Sequence, residues 1–303
     1  MSNIRIEKCP LCNSKNLKPK FVCKDYFVSH ESFELYSCID CGFVLTQNFP
    51  SHDTIGKYYE ASEYVSHSDT KQGIVNRMYH AVRKYMLKKK LKFVCKQSGK
   101  QTGKMLDVGC GTGYFLNAAK QKGWETVGIE KSEHARNLAI NRFELTVKSE
   151  DHLNTLPPES FDVITLWHVL EHLENLNEIM DSLHNLLLPD GTAVIAVPNC
   201  SSYDAQHYQT YWAAYDVPRH LWHFTPQTMK FLANKFNFQI IRQKPLNFDS
   251  FYVSLLSEKY KGGNKVTALV KAFIIGLISN IKTIFSKDKG SSMIFVLKKK
   301  HFE

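Results

Sequence analysis

The heptapeptide Asp107-Val108-Gly109-Cys110-Gly111-Thr112-Gly113 constrains this chain more than any other feature, because it closes the apolar run KMLDV and opens the helical run GYFLNAAK. Glycines at such a bend let a ligand approach the backbone closely, and the helix N-terminus behind them offers unpaired N–H groups. A dinucleotide loop of the form G-x-G-x-x-G sets its third glycine three residues beyond the second. Here Gly113 follows Gly111 by two, which argues against a nicotinamide dinucleotide.

Downstream, short apolar runs alternate with helical ones through ETVGIEKS, EHARNLAINRF and FDVITLWHVL. Such alternation predicts parallel βαβ units, hence an α/β fold. The run ENLNEIMDSLHNLLL sets Leu176, Ile179, Met180, Leu183, Leu186 and Leu187 on one side and stops at Pro189-Asp190-Gly191, before a buried strand TAVIAVPN. Residues 200–228 then break the alternation with aromatics and histidines, where a cover over a substrate would sit. Two further strands are predicted near 238–246 and 291–300, with a helix of few charges, KVTALVKAFIIGLISNIKTIF, between them.

The 303 residues suffice for one well-buried catalytic domain and a small appendage. Five of the eight cysteines lie within residues 1–50, in a stretch with little helical periodicity that reads as a separate small unit. Its pairs Cys9-Pro-Leu-Cys12 and Cys38-Ile-Asp-Cys41 offer four thiolates with the spacing of a structural zinc ribbon. Four cysteine ligands leave no place for a reactive water, so such a metal serves folding. Cys23, outside both pairs, reads as packing or surface.

The segment RMYHAVRKYMLKKKLKFV spaces Met78, Val82, Tyr85, Met86 and Leu91 as an amphipathic helix, a bridge between the two units. Arg83, Lys84, Lys88, Lys89, Lys90 and Lys92 give it a basic surface, and the whole chain carries 39 − 29 = +10. That charge predicts attraction to polyanions, anionic lipid or phosphorylated substrates. The apolar segment 266–285 is interrupted by Lys271 and Lys282, which suits a core helix, a dimer contact or a helix lying at a membrane surface better than a span. The start, MSNIRIEKCPLC, lacks the apolar stretch of a secretory signal, so a cytoplasmic protein is expected, with the inner membrane face within its reach.

Asp107-Val-Gly-Cys-Gly-Thr-Gly113 resembles, without a gap, the first motif D/E-x-G-x-G-x-G of the class I S-adenosylmethionine (SAM)-dependent methyltransferases, and from about Asp53 to Lys300 the chain is similar to the methyltransferase domain 23 group. The resemblance implies a Rossmann-like sheet, mostly parallel with the last strand antiparallel. It also implies that Asp107, Gly109, Gly111 and Gly113 contact the methionine part of SAM, with Cys110 of the same loop among the cofactor-binding residues. Glu130 ends the next strand, where a carboxylate can accept hydrogen bonds from both ribose hydroxyls, the role that the resemblance assigns to it. Glu150 or Asp151 is expected to face the adenine amino group, and Trp167 and His168 to line the pocket.

His168, Glu171 and His172 fall on one face of a helical segment. Ubiquinone-pathway O-methyltransferases are similar here, some with an acidic residue before Glu-His for a divalent ion. His168 stands in place of that first carboxylate, so Glu171 and His172 are read as a structural pair and no catalytic metal is expected. Methylation of a hydroxyl or an activated carbon requires loss of a proton, and the segment DVPRHLWHFTP offers Arg219, His220 and His223. It resembles a segment of methyltransferases from saccharide and natural-product pathways, including ribbon-bearing sugar C-methyltransferases, so His220 is the first choice of base and His223 the second. Tyr203, His207, Tyr208 and Trp212 are candidates for shaping the acceptor pocket.

The Asn/Asp-Pro-Pro-aromatic tetrad of amino-directed nucleic-acid methyltransferases is missing from TLWHVLEHL, which favours a small-molecule or saccharide-type acceptor methylated on oxygen or carbon rather than nitrogen. Two alternatives remain: an RNA methyltransferase that grips RNA with the ribbon and basic helix, and a non-catalytic adaptor that keeps only the SAM fold. The expected organisation is a ribbon-like unit over 1–50, a helical bridge over 51–100 and a catalytic domain over 101–303, with insertions at 200–228 and 260–288. Nothing in the residues fixes an oligomeric state.

Overall fold

The computed structural model describes the backbone of residues 3–59 and 74–300, and the side chains of that range except those of 74–82. The stretch 60–73 of the expected bridge, and the side chains of Met78 and Val82, lie outside the described residues. The chain opens with β1 (Asn3–Ile4), β2 (Leu17–Lys24), β3 (Ser32–Cys38), β4 (Val44–Gln47), β5 (Phe49–Pro50) and the single turn α1 (His52–Ile55). A long helix, α2 (Ile74–Ser98), precedes β6 (Lys104–Val108), α3 (Tyr114–Lys120), β7 (Glu125–Ile129), α4 (Glu133–Phe143), β8 (Thr146–Lys148) and β9 (Phe161–Trp167). Then follow α5 (Leu176–Leu186), β10 (Leu187–Pro198), α6 (Tyr203–Tyr208), β11 (Trp222–His223), α7 (Pro226–Lys235), β12 (Phe238–Pro245), α8 (Asp249–Lys261), α9 (Lys265–Phe285) and β13 (Ser292–Lys299).

Among the described residues one sheet of seven strands has the order β12-β13-β10-β9-β6-β7-β8. The pairs from β10 to β8 are parallel, and β13 runs antiparallel to both of its neighbours. The sheet is mostly parallel with its last strand reversed, as expected.

Side-chain alternation sorts the sheet's two faces. Leu106, Ile164, Leu166, Ile195 and Phe295 pack with Met180 and Leu183 of α5 and Leu232 of α7. Met105, Val163, Val194 and Ile294 face the other way, onto Leu91 and Val94 of α2 and Phe115 of α3. The helix read as a bridge therefore covers a face of the catalytic sheet. α7 starts cleanly because Thr225 and Thr228 form a capping box with Pro226 in the first turn.

The N-terminal unit departs from the expected separate module. Its sheet has the order β11-β4-β3-β2, so the fourth strand is Trp222–His223, donated from the insertion. One side of this sheet joins the catalytic core through Cys9, Leu11, Phe43 and Leu45. On its other side Phe33, Leu35 and Val44 pack against Tyr208, Trp212 and Tyr215 of the insertion, with Val253 of α8 and Ile275 of α9. The cause is the edge of β4: left open it would expose unpaired N–H and C=O groups, and the insertion's Leu221 carbonyl accepts from Thr46 N at 2.9 Å.

A buried cation locks this junction. The Arg219 side chain is 1% exposed and reaches Asp25 of the N-terminal unit at 2.9 Å and Asp216 of the insertion at 2.6 Å, while its Nη1 donates to the Tyr58 carbonyl at 3.0 Å. Asp25 also accepts from the backbone N–H groups of Phe27 and Ser29. Replacing one partner of a buried pair strands the other charge at a cost of about 3–5 kcal/mol. Arg219→Met is therefore expected to lower unfolding stability by about that much in urea denaturation; a loss under about 1 kcal/mol, the scale of an exposed pair, contradicts a locking role.

Candidate active site

The glycine loop sits where β6 ends, at the carboxyl edge of the parallel strands. Gly109 is tightly enclosed: at φ +70° an added Cβ would meet Val169 Cγ2 at 2.3 Å. Gly111, at φ +54°, faces open space with nothing within 4 Å of such an atom. Gly113 precedes α3 with φ +78°. The loop thus has one bare, accessible turn held by two packed ones, which is the shape a ligand's polar end requires.

Glu130, just beyond β7, receives the Gly111 N–H at 2.8 Å on one oxygen and the Ser132 N–H at 2.9 Å on the other. Each oxygen keeps a further lone pair. The Cys110 thiol is buried; a Cβ on Gly128 would come within 2.7 Å of its sulfur, so its part in the loop is packing. Asp107 is buried and accepts from the Thr165 hydroxyl at 2.5 Å. Burial pushes its carboxyl up to about 7, against the Thr165 hydrogen bond and the positive charge of Lys90.

Lys90 departs from the basic surface expected of this helix. Its ammonium lies 4.4 Å from the Trp167 ring centroid, and burial lowers its pKa while Asp107 and Asp249 oppose the shift. Trp167, at the end of β9, is half-buried, and its indole N–H has no partner among the described residues. His168 follows at φ +57°, with Nε2 3.2 Å from Asp249 and Nδ1 3.5 Å from Glu171. Burial pulls its pKa down, but the two carboxylates outweigh burial and hold it at about 10.

Glu171, His172 and His220 each offer a ligand atom, and these atoms lie within 4.8 Å of one another. Glu171 is fully buried, and His168, with Nδ1 3.5 Å from its Oε1, is the cation that answers its charge and helps to hold its pKa down against burial. His172 Nδ1 lies 3.1 Å from both the Tyr59 hydroxyl and the Arg219 carbonyl; burial and then the neighbouring His220 lower its pKa to about 4, so it is neutral at pH 7. The His220 ring stands edge-on to His172 at 4.5 Å, and its Nδ1 is 2.9 Å from the Ala214 carbonyl. A carbonyl only accepts, so Nδ1 carries the proton and Nε2 holds the lone pair in neutral His220. The structure thus adds His220 to the Glu171–His172 pair read from sequence.

His223 differs. It is buried on β11, with Nε2 3.0 Å from Thr46 Oγ1, whose own proton goes to the His220 carbonyl. Burial, with the charges of His220 and Lys20, drives its pKa well down. Its place is in the seam between the insertion and the N-terminal sheet, which removes the reason to consider it as a base. Tyr208 and Trp212 belong to the same packing, Trp212 donating to Asp204 at 2.8 Å. Tyr203 stacks on His207 at 6.3 Å and carries Lys282 over its ring.

After β8, Glu150 is half-buried and contacts His52 at 3.1 Å and Lys131 at 3.4 Å, and Asp151 is exposed. The four cysteines come together in the N-terminal unit: Cys9 Sγ and Cys41 Sγ are 3.5 Å apart, Cys12 Sγ and Cys38 Sγ 3.4 Å. These gaps far exceed an S–S bond of about 2.05 Å. They approach the edge of about 3.8 Å that a tetrahedron with Zn–S bonds near 2.3 Å would have, so the set fits zinc. Cys23 is buried in packing.

Comparison with known proteins agrees with this geometry. A family model described as "Methyltransferase domain" matches residues 78–243, more than half of the chain. The chain belongs to that family, and its fold is that of SAM-dependent methyltransferases. It is 33% identical over 107 residues to a ubiquinone biosynthesis O-methyltransferase of Glaesserella parasuis serovar 5, covering 32% of this chain and 45% of that protein. A protein of the same name from Leptothrix cholodnii is 29% identical over 119 residues, covering 36% and 51%. The chain thus spans about half the length of the curated relatives it matches. Among solved structures, magnesium protoporphyrin IX methyltransferase from Synechocystis PCC 6803, with bound SAH, aligns at TM-score 0.53 and 13% identity over 82% of this chain and 100% of that one. A SAM-dependent methyltransferase from Archaeoglobus fulgidus aligns at 0.50 and 22% over 72% and 94%.

Sequence reasoning missed Lys90 and Asp249 as site residues. Lys90 is one of six basic residues in a run; the available signal was its place between apolar residues, beside Leu91 and four residues before Val94, both buried against the sheet. Asp249 had none, since its partner lies far away in the chain.

The His168–Asp249 pair has a pH signature. A raised histidine pKa adds stability that is complete below about 6.5, the unfolded value, and fades as pH rises through about 10. The lowered Asp249 pKa adds stability above about 3.9 that is lost on acidification. Asp249→Asn is therefore expected to destabilise most between about pH 5 and 6.5 and progressively less towards pH 10. Denaturation curves across pH check this, and a mutant deficit that stays constant over that range contradicts the pairing.

Proposed function

We propose that the protein moves a methyl group from SAM to an oxygen or activated carbon of a small-molecule or saccharide-type acceptor. The observation that carries this is the open turn at Gly111 beside the Glu130 carboxylate, at the carboxyl edge of the sheet. Asp107, Gly109, Gly111, Gly113 and the backbone of Cys110 would enclose the methionine part, and Glu130 would take the ribose hydroxyls. Glu150 or Asp151 would meet the adenine, with Trp167 and His168 as the pocket's wall. Bound there, SAM supplies an electrophilic methyl on a sulfonium.

The protein's own contribution is alignment and exclusion of water, with the insertion at 200–228 as cover. His220 would accept the acceptor's proton at Nε2. Glu171, a buried carboxylate beside it, would stabilise the imidazolium that results. The likeness to two ubiquinone biosynthesis O-methyltransferases supports a hydroxyl acceptor. The inward turn of Lys90 weakens the case for RNA, since the helix offers fewer free cations. Zinc on Cys9, Cys12, Cys38 and Cys41 would serve folding, and free thiols suit a reducing, cytoplasmic setting.

The test incubates the protein with isotopically labelled SAM and a metabolite extract, then searches by mass spectrometry for a product that gains the labelled methyl. The reading predicts such a product, and His220→Gln is expected to slow its formation by roughly 10²- to 10⁴-fold. Labelled product confined to added RNA overturns the acceptor class. Unchanged turnover of His220→Gln across pH removes His220 as the base.

A further inference from the structure

α9 carries two faces of opposite purpose. Ala272, Ile275, Gly276, Ser279 and Thr283 are buried, and the fit to α8 is close: an added Cβ on Gly276 would meet Phe251 at 2.7 Å. Ser279 donates to Asp204 at 3.0 Å and Ser250 to the Gly276 carbonyl at 3.1 Å, which ties the helix to the body of the protein. The opposite face is apolar and uncovered. Leu269, Phe273, Leu277, Ile281 and Ile284 form its stripe, with Phe273 59% and Ile284 78% exposed. A soluble surface does not ordinarily carry an uncovered apolar stripe the length of a 21-residue helix.

The charges say what kind of partner fits. Between Lys259 and Lys289 the chain has seven lysines and a single acidic residue, Asp288. Lys271 and Lys282 are exposed and eleven residues apart, three helical turns, so they stand along one border of the stripe. A second copy of this chain would bring like charges together across a two-fold contact, which opposes association. A negatively charged lipid surface instead matches both features: acyl chains receive the stripe, and headgroups receive the lysines. The helix is long and apolar enough to cross a bilayer. Yet spanning would tear Ser279 and Gly276 from their partners, so the geometry suits a helix lying in the interface.

We propose that the α8–α9 hairpin docks the protein on anionic membrane surfaces, with the Leu269–Ile284 stripe of α9 buried against the upper acyl chains and its lysines paired to the headgroup charges. Asp249, the first residue of α8, faces His168, so docking would hold the rim of the candidate active site at the lipid surface. The proposal does not depend on which reaction occurs there.

The test is flotation of the whole protein with vesicles of phosphatidylcholine alone and of phosphatidylcholine mixed with phosphatidylglycerol. Binding is expected only with phosphatidylglycerol and is expected to fall at high salt. Phe273→Glu, fully cooperative in its thermal melting, should weaken binding about tenfold or more. The double variant Lys271→Gln, Lys282→Gln should weaken it about 25-fold, near fivefold per lysine. Alkaline carbonate should release the bound protein. Failure to bind, binding indifferent to lipid charge, resistance to carbonate, or a folded Phe273→Glu that binds as well as wild type each overturns the proposal. So does a stable dimer that Phe273→Glu dissolves while wild type ignores vesicles.

Discussion

A guanidinium buried between two carboxylates holds this protein's parts in register. Arg219 joins Asp25 from the N-terminal unit, the carbonyl of Tyr58 that follows it, and Asp216 from the insertion. An unpaired buried charge costs several kcal/mol, so these groups are fixed relative to one another or the fold is lost. His220 is the next residue in the chain, and its placement against His172 and Glu171 therefore depends on contacts made nearly two hundred residues upstream. The cysteine unit, though distant in sequence from the glycine loop, thereby bears on the acceptor side of the pocket.

A second arrangement of charges prepares the cofactor side. Lys90 lies near Asp107 and Asp249, and His168 lies between Asp249 and Glu171. Each charge is set by an opposite one before any ligand arrives, which spares the site reorganisation when a reaction begins. The sheet makes this possible because Asp107 and Thr165 sit on paired strands and point to the same face as Lys90 of α2.

The sequence made legible what depends on short-range pattern. The glycine loop, the strand–helix alternation, the two cysteine pairs and the apolar helix near 265–285 all appear where local spacing put them. What stayed hidden depends on contacts between distant segments. Nothing near Trp222 or His223 announces that they complete the N-terminal sheet, because the missing edge belongs to β4. His223 looked like a base because it is a histidine in an aromatic loop, but burial and Thr46 make it a seam residue. Lys90 was indistinguishable from its neighbours until the helix's rotation over the sheet was known, and Asp249 gains its meaning only from His168.

The central claim is that the turn at Gly111 and the Glu130 carboxylate form a pocket for SAM. Titration calorimetry of the purified protein with SAM and with its demethylated product tests it most directly. The account predicts saturable one-to-one binding of both, weakened about tenfold in Glu130→Gln, where charge-assisted hydrogen bonds become neutral ones. Folded protein that takes up neither compound, or that binds them equally well with Glu130→Gln, contradicts it.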